Sequence, residues 1–159
     1  EKIQAHLVSV WRESKKFFSV GGREGMLVLT DKHLTFVHKT ESKMNWWKAI
    51  TQRQVVNFLK SKNTMIQHDG YGEKDLSNDL ENSKNIELLF DDIEKISFKE
   101  EIWGSVLNLE YKKDEKKEIF QYSIAQDWVK YPIKEPTKFM KVDWEPFVQY
   151  IKERQKFTK

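Results

Sequence analysis

The sequence contains no cysteine, only three prolines and six glycines, and four arginines among its 28 basic residues. The lack of cysteine excludes disulfide scaffolds, cysteine-ligated zinc, iron–sulfur clusters and thiol catalysis. The shortage of arginine disfavours a dedicated nucleic-acid reader, because the planar guanidinium is the preferred partner of phosphate and guanine. No apolar run approaches the ~18 residues of a membrane-spanning helix. We therefore expect a soluble, cytoplasmic protein.

The chain is instead rich in charged and aromatic residues, at 33% and 13% of its 159 residues. This length suits one domain over residues 1–159 that buries roughly two thirds of its unfolded surface. The net charge of +3 is unevenly distributed: it is +7 over residues 1–62, −7 over 63–118 and +3 over 119–159. Such a pattern indicates a basic and an acidic side, unless the segments pack together and their fields cancel.

Short antiparallel strands account for most of the apolar pattern. The clearest hairpin lies within residues 25–39, where a β-rich run is followed by the turn Asp31-Lys32 and a second alternating run. Residues 1–11 suit either a short helix or a strand, and residues 44–50 predict a third strand. Alternation predicts further strands at residues 86–90, 93–98, 106–111 and 118–122.

Two helices are indicated by their capping residues. Thr51 and Gln54 have the spacing of a capping box and predict a helix near residues 52–61. Asp143 precedes an amphipathic stripe and predicts a C-terminal helix. The polar residues 62–84 predict a mobile excursion with a short helix near residues 74–80.

The run from Gly25 to Phe36 (GMLVLTDKHLTF) resembles the hairpin signature of GRAM-type and bacterial pleckstrin-homology-like domains. Residues 90–96, 106–122 and 143–156 look like the later strands and the C-terminal helix of that family. The resemblance implies a mainly β fold with α (α+β), in which a bent antiparallel barrel or sandwich is capped by the C-terminal helix. Residues 41–85 depart from the family pattern and predict an inserted strand, helix and polar excursion.

Catalytic and metal motifs are absent from the sequence. The four histidines form no HxxxH or HExxH pair, and the glycines of residues 21–25 lack the framework of a nucleotide-binding loop. Asp91 and Asp92 are neighbours that point to opposite sides of a strand. We therefore expect no enzyme, no catalytic residue, no metal, no cofactor and no small-molecule substrate.

Two binding functions remain, of which a protein-interaction or oligomerisation domain is favoured. Trp46 and Trp47 are adjacent, so a single face cannot bury both, and an exposed indole is typical of an interface. The alternative for this pair is that the inserted helix covers the second ring.

The second function is peripheral binding of anionic, phosphoinositide-like lipid head groups. The resemblance implies cations on the first two strands and their loop, for which the sequence offers Lys15, Lys16, Arg23 and Lys32. The alternative is that these are ordinary solvated surface residues.

Overall fold

The computed structural model describes residues 1–15, 22–40, 44–126 and 137–155, and it contains one antiparallel sheet of seven strands with three helices. The predicted α+β class is therefore confirmed. The strands are β1 (Ile3–Ser14), β2 (Gly22–Thr30), β3 (His33–His38), β4 (Glu87–Leu89), β5 (Ile93–Glu101), β6 (Gly104–Lys113) and β7 (Lys116–Ile124). The helices are α1 (Met44–Lys60), α2 (Glu73–Asp79) and α3 (Glu145–Arg154), and a single 3₁₀ turn (Phe90–Asp92) joins β4 to β5.

The strand order is β4-β3-β2-β1-β7-β6-β5, so β1 lies in the middle and joins two halves. It pairs with β2 along most of its length and with β7 from Val10 to Ser14. The sheet is unclosed, with β4 and β5 as its two edges in the described part of the chain. The helix α3 packs against β5 and the 3₁₀ turn.

Two separate apolar clusters lie on opposite faces of the sheet. The larger one collects residues from all seven strands and from α3, including Trp144 and Phe147. The second one lies on the other face of β1, β2 and β3, where Trp47 and Ile50 of α1 and Leu76 of α2 cover it. Because successive residues of a strand point to opposite faces, β2 sends Leu27 and Leu29 into the first cluster and Met26 and Val28 into the second.

The strand β1 is bulged where α1 docks on it. Ser9 adopts a φ of 52°, and the register with β2 shifts between Leu7 and Val10. The bulge takes the backbone of Val8 out of the strand ladder. The side-chain amide of Gln54 bonds to the backbone of Val8 in place of a neighbouring strand. Its Oε1 accepts the Val8 N–H at 2.8 Å, and its Nε2 donates to the Val8 carbonyl at 2.7 Å.

The predicted strand at residues 44–50 is wrong, because α1 already begins at Met44. Thr51 and Gln54 are interior residues of this helix and do not cap it. Thr51 Oγ1 lies 2.7 Å from Ser9 Oγ and donates to the Trp47 carbonyl at 2.9 Å. The capping-box spacing therefore reflects two polar side chains, three positions apart on one helix face, that both bind the bulge of β1.

The segment of residues 62–84 packs on the sheet, which corrects the expectation of a mobile excursion. The His6 N–H donates to the Ile66 carbonyl at 2.7 Å, and the Tyr71 hydroxyl donates to Asp79 at 2.6 Å. His68 is buried beside Gln54. The short helix predicted in this segment is confirmed as α2.

The remaining elements follow the prediction closely. Residues 1–11, left open between helix and strand, belong to β1. The hairpin of β2 and β3 turns at Asp31 and Lys32 as expected. The C-terminal helix has Trp144 as its N-cap, one residue after the predicted cap Asp143, whose Oδ1 accepts the Glu145 N–H at 3.0 Å. The predicted stripe of Phe147, Val148 and Ile151 is buried.

Candidate binding groove

An apolar groove lies between the C-terminal half of α1, the turn from β5 to β6, and residues 137–141. We call it the α1–turn groove, and its volume is about 670 Å³. Residues from these three parts line it, together with one residue after β7: Val55, Phe58, Leu59, Lys62, Ile102, Trp103, Gln126, Thr137, Lys138, Phe139, Met140 and Lys141.

The turn from β5 to β6 is fixed in place by the segment beneath it. Gly104 abuts Phe139 so closely that a Cβ there would lie 2.8 Å from the Phe139 Cβ. The Ser105 N–H donates to the Met140 carbonyl at 3.1 Å. The Trp103 ring meets Phe139 edge-on, with centroids 5.5 Å apart. These contacts hold Ile102 and Trp103 beside α1 without burying them.

Three large apolar side chains of the groove remain in contact with water. Ile102 is 96% exposed, Leu59 is 77% exposed and Trp103 is 47% exposed. Phe58 and Met140 are buried and form the floor. Contiguous exposed apolar side chains of this kind mark interaction sites more often than scattered ones do.

The charge of the groove has one sign. Within residues 1–15, 22–40, 44–126 and 137–155, the charged residues that line it are Lys62, Lys138 and Lys141, and none of the lining residues is Asp or Glu. All three lysines are exposed, and none of them forms an ion pair within the described ranges. The described lining of the groove is therefore an apolar surface with three exposed lysines at its border.

The cations predicted to bind lipid lie apart from one another. Lys15 and Trp103 border one depression, on the face of β1 that carries Trp11 and Glu13. Arg23 of β2 lies opposite Arg12 of β1 in the strand register, so its side chain points to the other face. Lys32 lies beyond the far end of β2, roughly 25 Å from Arg23 by strand length. Lys16 falls outside the described residues. The described members of this set do not form one cluster.

Arg12 is a cation that the sequence reasoning missed. Its guanidinium lies 4.4 Å from the ring centroid of Phe36 and 4.3 Å from that of Phe120. Burial lowers the pKa of the neighbouring His38, and the positive charges of Arg12 and Arg23 lower it further. A hydrogen bond to Asn85 raises the pKa but does not outweigh these effects. Only the register of β1 brings Arg12 and Arg23 together, because eleven positions separate them in the sequence.

Trp46 and Trp47, predicted as a protein-binding pair, are both engaged within the protein. Trp47 is 1% exposed, and its Nε1 donates to Ser9 Oγ at 3.2 Å. Trp46 is partly buried and stacks on His6 and Tyr71, with ring centroids 6.0 and 6.1 Å apart. The alternative was that the inserted helix covers the second ring; in the structure both rings belong to that helix, and Trp47 packs into the second apolar cluster on β1, β2 and β3. The exposed indole at the groove is that of Trp103.

The histidines also lie in different parts of the fold. His6 and His68 are buried under α1 and α2, where burial lowers the pKa of His68 to about 4. On β3, His33 Nδ1 lies 3.0 Å from Glu1 Oε2 and 3.5 Å from Glu87 Oε2. These three residues are close enough to hold a metal ion, but exposed acidic groups commonly gather in this way without one.

No family model, curated protein or solved structure matches the sequence. Among the described residues, no helix has both the length and the apolar character needed to cross a membrane. The α1–turn groove, with its exposed apolar walls and bordering lysines, is the feature of the described residues that bears most directly on function.

Proposed function

We propose that this protein is a non-enzymatic, protein-interaction module of pleckstrin-homology-like (GRAM-like) architecture, and that it binds its partner at the α1–turn groove. One observation carries the proposal. Leu59, Ile102 and Trp103 come from two distant parts of the chain, converge on one groove and remain largely exposed. Aromatic and aliphatic side chains of this kind become the buried centre of an interface when a partner covers them.

The strand pattern supports the architectural part of the proposal. Seven antiparallel strands form a single sheet, in which β5 is an edge strand. The helix α3 packs against β5 and against the 3₁₀ turn that precedes it. These features agree with a bent sheet capped by a C-terminal helix. The two helices between β3 and β4 form the insertion that the resemblance did not cover.

The shape of the groove favours a protein over a small molecule. Small-molecule sites bury about 70–90% of their ligand. Here the walls are formed by Leu59 and Ile102, whose own side chains are mostly in water. A protein segment brings a surface large enough to cover both walls, whereas a small ligand leaves them exposed.

The placement of the cations favours a protein over a membrane surface. Peripheral binding to anionic lipid gains from cations that approach one plane together. Lys15 and Arg23 lie on opposite faces of the sheet, and Lys32 lies at the far end of β2. We therefore treat lipid binding as an alternative outcome of the test.

The test is selection of peptides from a random displayed library on the folded chain. A groove variant, Leu59→Ser/Ile102→Ser, is compared with a matched control, Leu89→Ser/Ile86→Ser, which changes the same residue types at exposed positions outside the groove. We expect the selected peptides to bind the groove variant at least about tenfold more weakly, a loss of about 1.4 kcal/mol. Binding to the control is expected to equal that of the wild type.

Three results would overturn the proposal. The first is recovery of no binding peptide, or of peptides that bind both variants equally. The second is salt-sensitive sedimentation of the wild type with phosphatidylserine vesicles that the groove variant loses, which would assign the groove to a membrane. The third is a concentration-dependent mass in light scattering that the groove variant abolishes, which would assign the groove to a second copy of the chain.

A further inference from the structure

We infer that the segment bound in the α1–turn groove is an acidic amphipathic helix. This inference rests on the proposed function and specifies the chemistry of the partner. It follows from the charge of the described lining, from the hydrogen bonding of the backbone at Met140, and from the arrangement of the apolar walls.

Three lysines border the groove, on two of its sides. Lys62 follows α1, and Lys138 and Lys141 belong to the segment on the other side. In the part of the chain that the structure describes, no carboxylate is among the lining residues and none of the three lysines is ion-paired. Acidic side chains at both borders of a bound segment would meet these cations, whereas basic ones would be repelled.

The backbone of Met140, which lies on the floor of the groove, is already hydrogen-bonded, which argues against an extended partner at this position. The Met140 N–H donates to the Ile124 carbonyl at 2.7 Å, and its carbonyl accepts from Ser105. The opposite wall is the helix α1, whose backbone bonds are internal. A peptide that adds as a strand needs unpaired N–H and C=O groups at a sheet edge, but a helix satisfies its own.

The apolar walls match the spacing of a helix face. Val55 and Leu59 are four positions apart on α1, so they form one row along the groove. Ile102 and Trp103 form the opposite wall, and Phe58 lies below between them. A partner helix with apolar residues at positions i, i+3, i+4 and i+7 would place that stripe on the floor and its acidic residues beside the lysines.

The experiment uses three synthetic amphipathic helices with the same leucine stripe and polar faces of Glu, Gln or Lys. Fluorescence anisotropy measures their binding to the full chain at low and at high salt. We expect the Glu peptide to bind at least about tenfold more tightly than the Gln peptide at low salt, and the Lys peptide not to bind. The preference is expected to shrink at about 1 M salt, where the screening length is about 3 Å.

A charge variant, Lys62→Gln/Lys138→Gln/Lys141→Gln, tests the origin of that preference. The matched control is Lys74→Gln/Lys112→Gln/Lys116→Gln, which removes three exposed lysines outside the groove. We expect the charge variant to bind the Glu and Gln peptides equally and the control to keep the wild-type preference. Circular dichroism and thermal unfolding of each variant establish that it is folded, and the salt series on the wild type provides a reading that needs no variant.

The possible results separate the two proposals. Equal binding of the Glu and Gln peptides, or loss of the preference in the control variant, would overturn the acidic partner. If displayed peptides still depended on Leu59 and Ile102 in that case, the groove would remain a protein site with a partner of other chemistry. Extended displayed peptides without a helical apolar stripe would overturn the helical partner alone. Absence of any groove-dependent binding would overturn both.

Discussion

The two halves of the sheet differ in how many of their faces are covered. In β2, every residue from Gly25 to Thr30 is buried, because α1 and α2 cover one face and the main core covers the other. In β5, only Ile93 and Ile96 are buried. The sequences reflect this difference: Met26 to Leu29 is a continuous apolar run, whereas β6 and β7 retain alternating positions.

The comparison explains where a binding surface can form. Most residues of β5 are not buried, and the C-terminal half of α1 lines the same groove as the turn from β5 to β6. Leu59 on α1 and Ile102 on the turn are therefore neighbours that neither half buries. The α1–turn groove lies at the boundary between the doubly covered half and the singly covered half.

The largest expected difference between the halves concerns two tryptophans. Trp47→Ala removes a buried ring from the doubly covered half and should destabilise the fold by about 3–5 kcal/mol. Trp103→Ala removes a partly exposed ring beside the groove and should cost about 1 kcal/mol or less. Urea unfolding of both variants measures the difference. Similar losses for the two would mean that the turn from β5 to β6 is as much a part of the core as α1.

The next effect concerns the polar contact between α1 and β1. Gln54→Ala leaves the N–H and the carbonyl of Val8 without their partner in a buried site, and it should destabilise the protein by about 2–4 kcal/mol. Gln52→Ala, two positions earlier on the exposed side of the same helix, should change stability by less than about 0.5 kcal/mol. Equal values from chemical unfolding would show that apolar packing alone holds α1.

The effect that is smallest near neutral pH is the pH dependence that His68 gives to the doubly covered half. Burial lowers the pKa of His68 from 6.5 to about 4, so between these values the unfolded chain binds a proton that the folded chain does not. Stability should therefore fall as the pH drops from 6.5 towards 4, with a slope of up to about 1.4 kcal/mol per pH unit from this group. The contribution is complete above pH 6.5.

His68→Gln tests this dependence, because a glutamine amide still donates to Gln54 but does not titrate. Thermal unfolding at several pH values between 4 and 7 should give a shallower slope for the variant than for the wild type. An identical slope would mean that other groups cause the acid sensitivity, and that burial under α1 does not set the protonation of His68.

The sequence predicted the strands that are marked by clear apolar alternation or by turn residues. The alternation at residues 106–111 and the turn at Asp31 and Lys32 both correspond to strands and a hairpin in the structure. The helix pattern at Trp144, Phe147 and Ile151 was equally clear. The sequence-based prediction failed at residues 44–50, because period-2 spacing of apolar residues is weak evidence over so few positions. There the contacts of Thr51 and Gln54 with β1 decided the structure.

The candidate site was beyond sequence reasoning for a related reason. Adjacent tryptophans at positions 46 and 47 gave a visible signal, whereas Ile102 and Trp103 lay in an unremarkable turn. The exposure of a side chain depends on which other parts of the chain pack on it. The residues next to either pair in the sequence do not reveal that packing. The cations Lys15, Arg23 and Lys32 appeared close along the chain, but the strand β2 and the alternation of its side chains separate them.

The sequence by itself determined the strand-rich α+β class, the hairpins and the C-terminal helix, because turn residues and apolar periodicity act over a few positions. It also excluded cysteine chemistry by composition. Only the tertiary structure decided that α1 covers Trp47, that Gln54 completes the hydrogen bonding of β1, and that Leu59 meets Ile102 across a groove bordered by lysines. Those features join residues about 40 or more positions apart, and burial and register over such distances arise only when the whole sheet has formed.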